Sequence, residues 1–254
     1  MNTKNSYKSA TPYLAYCKTT NEKQKLADYI SSAFSKEPIT ILDLGCGNGI
    51  NTFFIADRFP DALVDAIERS EAQINEASTR NNRVNIQYSN VTFEQFSSER
   101  KYDFILASHV LQYIDSELEG FIKKAIEMLE HSGELWFVQQ TKEGMAQIIS
   151  HQLPYLDNPR FRDWKTFGDY QEAIKKIVGN DYELSIGYLD CSFSQIDFEN
   201  PSEEDKLRLE FIFCLDKSFD EQSQEFKENL SRLKLGDGKR ISHPNGIIRI
   251  MRVK

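Results

Sequence analysis

Three glycines and one acid carry the first chemical signal in this chain. Gly45, Gly47 and Gly49 alternate within Asp43-Leu44-Gly45-Cys46-Gly47-Asn48-Gly49, directly after the apolar run Ile39-Thr40-Ile41-Leu42. Glycine tolerates positive φ and lets a ligand approach the main chain, and the free N–H groups of a helix starting there would face that ligand. A short Ile- and Leu-rich run that ends in such a turn reads as a strand buried on both faces, a tight loop and a helix start. A second apolar run, Leu63-Val64-Asp65-Ala66-Ile67, ends in Glu68, nineteen residues past Gly49. The second strand of a mononucleotide-binding half sets a carboxylate beside a ribose at this distance. The spacing G-x-G-x-G differs from the G-x-G-x-x-G of dinucleotide enzymes, so turn and acid count only together.

Other side chains could work beside that groove. Ser108 and His109 follow the strand-like Tyr102-Asp103-Phe104-Ile105-Leu106-Ala107 and fall at its carboxyl lip, where open parallel sheets bind ligands. A histidine there can accept a proton from a nucleophile, donate a hydrogen bond, or simply pack. Tyr13, Tyr16 and Glu22 read either as core packing with an acid in a first helical turn, or as pocket walls. His243 and Asn245 are candidates to line a pocket from the far side, although His243-Pro244-Asn245-Gly246 is also a good turn. The chain has no H-E-x-x-H, C-x-x-C or G-x-S-x-G, so neither a metal nor a covalent nucleophile is called for. Cys17, Cys46, Cys191 and Cys214 are scattered, which suggests reduced thiols rather than disulfides or zinc.

These groups need a scaffold, and 254 residues suffice for one domain with an elaborated lid. A composition 40% hydrophobic and 28% charged is globular, and a net charge of −8 argues against nucleic-acid or anionic-membrane binding. A small-molecule substrate is expected, and a cationic one is compatible. Met1 to Ser9 is polar and no run reaches membrane-spanning length, so a cytoplasmic protein, monomeric or homodimeric, is expected.

Periodicity then supplies the elements. One or two amphipathic helices precede the first strand, the second opening at Thr19-Thr20-Asn21-Glu22, after a loose tail over residues 1–11. Helices are expected at Ile50–Arg58, Ser70–Asn81 (capped by Ser70), Glu117–Leu129 (ended by Gly133), Met145–Ile149 and Phe167–Val178. Strands are expected at Leu63–Glu68, Val84–Tyr88, Tyr102–Ala107, Glu134–Gln139, Tyr182–Leu189 continuing to Phe193, and Gly246–Val253. This alternation predicts an α/β, doubly wound, mostly parallel seven-stranded sheet. Residues 1–36 would form an N-terminal helical lid, 37–140 the cofactor half, and 141–254 the substrate side. Between strands six and seven lie roughly fifty residues, too many for a hairpin, so a helical insertion is expected over about 200–235.

The order Asp43-Leu44-Gly45-Cys46-Gly47-Asn48-Gly49 followed by Glu68 resembles the class I S-adenosylmethionine-dependent methyltransferases. Within them, Tyr13-x-x-Tyr16 with Glu22, Ala66-Ile67-Glu68-Arg69-Ser70-Glu71-Ala72-Gln73, Tyr102-Asp103-Phe104-Ile105 with Leu111 and Tyr113, and the strand after Asn245 are similar to the histamine N-methyltransferase group. The resemblance implies a Rossmann-like methyltransferase fold and S-adenosyl-L-methionine as cofactor. It implies a cofactor site of Asp43, Gly45, Gly47, Glu68 (on the ribose), Arg69, Gln73, Asn90 (standing where an Asp often binds the adenine amine), Val91 and Ser108. It also implies a substrate site of Tyr13, Tyr16, Glu22, His109, Tyr113 and Asn245. Glu22 and His109 would be catalytic, Glu22 holding the positive end of a small amine. Two departures argue against histamine itself: His109 replaces a glutamine, and residues around Met145 and Ile148 replace a tryptophan-rich wall. O-methylation of a phenol or carboxylate is the alternative, ahead of a protein methyltransferase or a non-catalytic cofactor-binding subunit.

Overall fold

In a computed structural model, residues 11–34, 37–81, 83–114, 117–156 and 165–253 are described. Strands β1 (Thr40–Leu44), β2 (Leu63–Glu68), β3 (Ile86–Asn90), β4 (Tyr102–Ser108), β5 (Leu129–Gln140), β6 (Tyr182–Leu189) and β9 (Asn245–Arg252) form one sheet, ordered β3-β2-β1-β4-β5-β9-β6. β9 is antiparallel to both neighbours, and the other pairings are parallel. The strand order reverses between β1 and β4, so the groove beyond their carboxyl ends is the switch point of the sheet. This is the Rossmann-like methyltransferase fold.

Helices cover both faces because the central strands are apolar on both. Leu42, Ile105, Phe137 and Ile248 pack toward α5 (Leu118–Glu127) and α7 (Phe167–Val178). Ile41, Val64, Phe104 and Trp136 pack toward α2 (Glu22–Ala33) and α3 (Ile50–Arg58). Helix α4 (Glu71–Arg80) joins β2 to β3. A third cluster sits above the carboxyl ends. It draws on α1 (Thr11–Thr19), α6 (Met145–Gln152), α8 (Glu203–Phe213), α9 (Gln224–Ser231) and a two-stranded ribbon of β7 (Ser192–Ser194) with β8 (Arg240–Ser242). The insertion between the sixth and seventh strands of the sheet is therefore a helical cover, as its length requires.

Several local expectations are corrected. The third strand begins at Ile86, since Val84 is fully exposed. The helix after β4 ends at Glu127, and Gly133 lies inside β5, where a Cβ would meet the Tyr102 carbonyl at 2.6 Å. β6 stops at Leu189 instead of reaching Phe193, because Ser192–Ser194 turns away to pair with β8. Ser70 occupies the cap position of α4 without its hydroxyl capping, and its N–H donates to Glu68 Oε1 at 2.7 Å. At the start of α2, Thr20 Oγ1 accepts from the Glu22 N–H, while Asn21 Oδ1 accepts from Ser192 N–H. The tail expected over residues 1–11 lies outside the described residues, except that Thr11 is helical. Among the described residues no helix is long and apolar enough to cross a membrane.

Candidate active site

The glycine turn is locked to the end of β2. Gly45 and Cys46 both donate their N–H to the Ile67 carbonyl, at 2.9 and 3.0 Å. Gly45, Gly47 and Gly49 all have positive φ, and added Cβ atoms would strike Val110 at Gly45 and Ala77 and the Tyr88 hydroxyl at Gly49. Only glycine fits such backbone at so close an approach. The Glu68 side chain points back at this turn, its Oε2 accepting from Gly47 N–H at 3.2 Å while Oε1 takes Ser70 N–H. Beneath the turn, Asp43 accepts from Thr52 Oγ1 at 2.6 Å, and burial pushes its carboxyl up to about 6.

Turn and acid open into a cavity of about 230 Å³ that runs from Glu68, Arg69 and Gln73 past Ser108 and His109 to Tyr16, Met145 and Phe211. Gln73 is 1% exposed and neither atom of its amide has a hydrogen-bond partner, and the buried Ser108 hydroxyl likewise has none. Unpaired buried polar atoms that line a cavity are what a polar ligand would satisfy.

At the other end, charge is concentrated. Glu22 and Lys23 open α2, both buried, with Lys23 Nζ 2.7 Å from Glu22 Oε1. The same oxygen lies 3.0 Å from His109 Nε2. Burial pushes the Glu22 carboxyl up, but Lys23 and then His109 outweigh it and hold it well below the usual range. His109 has a φ of 56°, unusual for a residue with a Cβ, and its N–H donates to the Val138 carbonyl at 2.8 Å. Strained backbone of this kind persists where surrounding structure enforces it, often at working sites. His243 is 1% exposed, and burial brings its imidazole down to about 4 against the pull of Glu22. The roof is aromatic: Phe211 of α8 lies 5.0 Å from both Tyr13 and Tyr16 of α1, centroid to centroid. Among the described residues no cluster of His, Cys, Asp or Glu has the makings of a metal site.

Residues 41–133 match the model of a methyltransferase domain. The chain is 31% identical over 133 residues to a malonyl-[acyl-carrier protein] O-methyltransferase of Acetivibrio thermocellus, covering 51% of this chain and 46% of that protein. It is 31% identical over 113 residues to the Priestia megaterium protein of the same name, covering 44% and 41%. The chain thus spans about half the length, or less, of these curated relatives. Among solved structures it resembles the plantazolicin methyltransferase BpumL in complex with a triazolic desmethylPZN analog and SAH, with a TM-score of 0.56 and 17% identity over 99% of this chain and 89% of that one. It also resembles the N-methyltransferase NodS from Bradyrhizobium japonicum WM9 in complex with S-adenosyl-L-homocysteine, with a TM-score of 0.52 and 16% identity over 92% and 87%. Relatives named for oxygen and for nitrogen both occur, so the likeness to a methyltransferase domain does not select an acceptor atom.

The cavity gathers most of the residues singled out in the sequence. Tyr13, Tyr16, Glu22, Gly45, Gly47, Glu68, Arg69, Gln73, Val91, Ser108, His109 and Tyr113 all line it. Three do not. Asp43 lies behind the turn and braces α3 through Thr52. Asn90 is exposed and gives its amide N–H to the Glu68 carbonyl at 2.9 Å, which leaves Val91 to Glu94 on that stretch of wall. Asn245 is wholly buried between β5 and β6, paired with Gln140 and Leu189, behind the wall. Lys23 and Phe211 were missed. Glu22, Leu26 and Ile30, together with Lys23 and Ala27, form the buried stripe of α2, so helical spacing from Ala27 placed Lys23 indoors. No sequence signal brings α8 over α1.

Proposed function

We propose that this chain is an S-adenosylmethionine-dependent methyltransferase acting on a free small molecule in the cytoplasm, with residues 1–254 as one unit. The observation that carries the proposal is that a ribose-type acid, Glu68, and a Glu22–His109 pair open into the same cavity. Bound there, the cofactor would supply a sulfonium methyl group, which needs alignment and exclusion of water rather than a metal. Glu68 would hold the ribose hydroxyls, and the Gln73 amide and the Ser108 hydroxyl would gain partners.

His109 would take the proton that an acceptor O–H or N–H must lose as it is methylated. Glu22, on the far ring nitrogen's side of that exchange, fixes the imidazole's orientation and stabilises it once protonated. An amine acceptor, suggested by the likeness to histamine N-methyltransferases, would rest against Tyr13 and Tyr113 on the cavity wall. The acyl-carrier-linked acceptor named for the curated relatives is not carried over, since the match covers only part of them.

Isothermal calorimetry with S-adenosylhomocysteine tests the cofactor, and absence of binding removes the enzyme reading. A methyl-transfer screen over amines, phenols and carboxylates then tests the acceptor end. His109→Ala is expected to lower kcat about a hundredfold or more on an accepted phenol or amine. Unchanged turnover would take His109 out of the reaction.

A further inference from the structure

Glu22 is the acid that an amine-binding pocket would use, but its charge is already met. Lys23 Nζ sits 2.7 Å from Glu22 Oε1, and both side chains are almost wholly buried at 7% and 1% exposure. His109 takes the same oxygen. The other charged groups on the cavity wall stand elsewhere: Glu68 is tied to Gly47 and Ser70 at the cofactor end, Arg69 lies over the Tyr113 ring, and Glu94 is exposed. The remaining surface around His109 is largely aromatic, sulfur-bearing or aliphatic, from Tyr13, Tyr16, Met145, Phe211 and Ile212, and its polar members, Gln112, Gln140 and the neutral His243, carry no charge.

A buried pair of opposite charges is tolerable only while it stays balanced. An ammonium entering beside it would leave a net positive charge in a dry site, and a carboxylate would leave a negative one. A neutral group brings neither penalty on binding, and the positive charge that the imidazole gains on proton transfer replaces the one that the sulfonium loses. It must also carry a proton acidic enough to pass to a histidine once the methyl group arrives, and lie flat between rings.

From this we infer that the acceptor is an uncharged aromatic hydroxyl compound of the phenol class, and that Lys23 sets this choice by cancelling Glu22. The inference rests on the methyl-transfer reading of the cavity. In the reaction the phenolic oxygen forms the new bond to the methyl carbon, the carbon–sulfur bond breaks with its electron pair going to sulfur, and the hydroxyl proton goes to His109. S-adenosylmethionine thus becomes S-adenosylhomocysteine and the products are an aryl methyl ether and a protonated imidazole.

The test uses phenol, benzylammonium and benzoate as probes, with affinities read by ligand-observed NMR on protein saturated with S-adenosylhomocysteine. Phenol is expected to bind about tenfold or more tightly than either ion. In Lys23→Met the freed Glu22 charge should raise benzylammonium affinity by about tenfold and remove the preference for phenol. Lys23→Gln is a second variant of different shape, and the wild-type ranking stands without either. Equal or tighter binding of benzylammonium to the wild-type protein, no phenol binding at millimolar concentration, or a folded Lys23 variant with an unaltered ranking would each overturn the assignment. Calorimetry with S-adenosylhomocysteine on the same sample separates the two levels. Its failure sinks the methyl-transfer reading, whereas its success beside a preference for benzylammonium sinks the acceptor class alone.

Discussion

The two ends of the cavity are built in opposite ways. At the Glu68 end the parts lie close in sequence, the turn following β1 and the acid ending β2, and main-chain N–H groups hold them. At the His109 end the parts are remote: Glu22 meets His109 across 87 positions, and in the cover outside the cavity Arg240 reaches the Thr19 carbonyl across 221. Local geometry forms the first end, whereas the second depends on long-range packing, which suits the proposed division between a cofactor end and an acceptor end.

That contrast can be broken or sharpened by experiment. The largest effect is expected from Glu68→Ala, which removes the carboxylate proposed to hold both ribose hydroxyls. S-adenosylhomocysteine affinity should fall about a thousandfold, some 4 kcal/mol by calorimetry, against a loss of about 2 kcal/mol in urea for the hydrogen bonds from Gly47 and Ser70. A comparable fall with Arg240→Ala would erase the distinction between the two ends.

Next in size is an acid effect at the His243 end. Its imidazole is held down to about 4, against 6.5 when free, so the unfolded chain binds a proton first as pH falls. The stability this group contributes is therefore present above pH 6.5 and lost as pH drops toward 4, about 3 kcal/mol in all. Asp43, raised from 3.8 to about 6, works in the opposite direction, its contribution being present below 3.8 and lost as pH rises through 6. Urea titrations of wild type and His243→Gln across pH 7 to 4 isolate the histidine, and the gap between the two proteins should shift by about that amount. Parallel curves would mean that His243 is not sealed from water.

Gly49→Ala should cost about 2 kcal/mol in urea, because its φ of 75° is strained for alanine and the new methyl would lie 2.8 Å from Ala77 Cβ. The smallest effect belongs to Arg240→Ala. This exposed side chain ties Thr19 to Ser192, and its loss should cost about 1 kcal/mol, with faster amide exchange confined to α1. Exchange that also quickened in β1 would show the two ends to be coupled.

The same contrast explains what the sequence discloses. Ile50–Arg58, Leu63–Glu68 and Phe167–Val178 match the helices and strand observed, because each owes its form to a local apolar period that its own neighbours satisfy. Gly133 misleads because a glycine following a helix usually ends it, whereas here close approach of the Tyr102 carbonyl requires it within a strand. β7 and β8 are three residues each, too short for any period, and they exist only because they pair with each other. Glu68 is legible as a ligand for the groove because its spacing from the glycines is fixed by one strand–helix–strand unit. Lys23 is legible only in part: its spacing from Ala27 sets it on the buried stripe of α2, but a lysine beside a glutamate reads as solvated surface until α2 is seen against the sheet. The narrower likeness to histamine N-methyltransferases rests on the quoted residues alone, and the pairing of Glu22 with Lys23 alters what that acid can do.

The position of β9 carries a consequence for assembly. It fills the slot between β5 and β6, so until it is synthesised β5 has one bare edge and β6 has no neighbour in the main sheet. A nascent chain could thus shape the groove at the glycine turn early, from β1 to β4, while the His109 end waits for β9 to thread home. Before that moment the exposed edge of β5, rich in Trp136, Phe137 and Val138, is where a stalled or truncated polypeptide would stick to its neighbours.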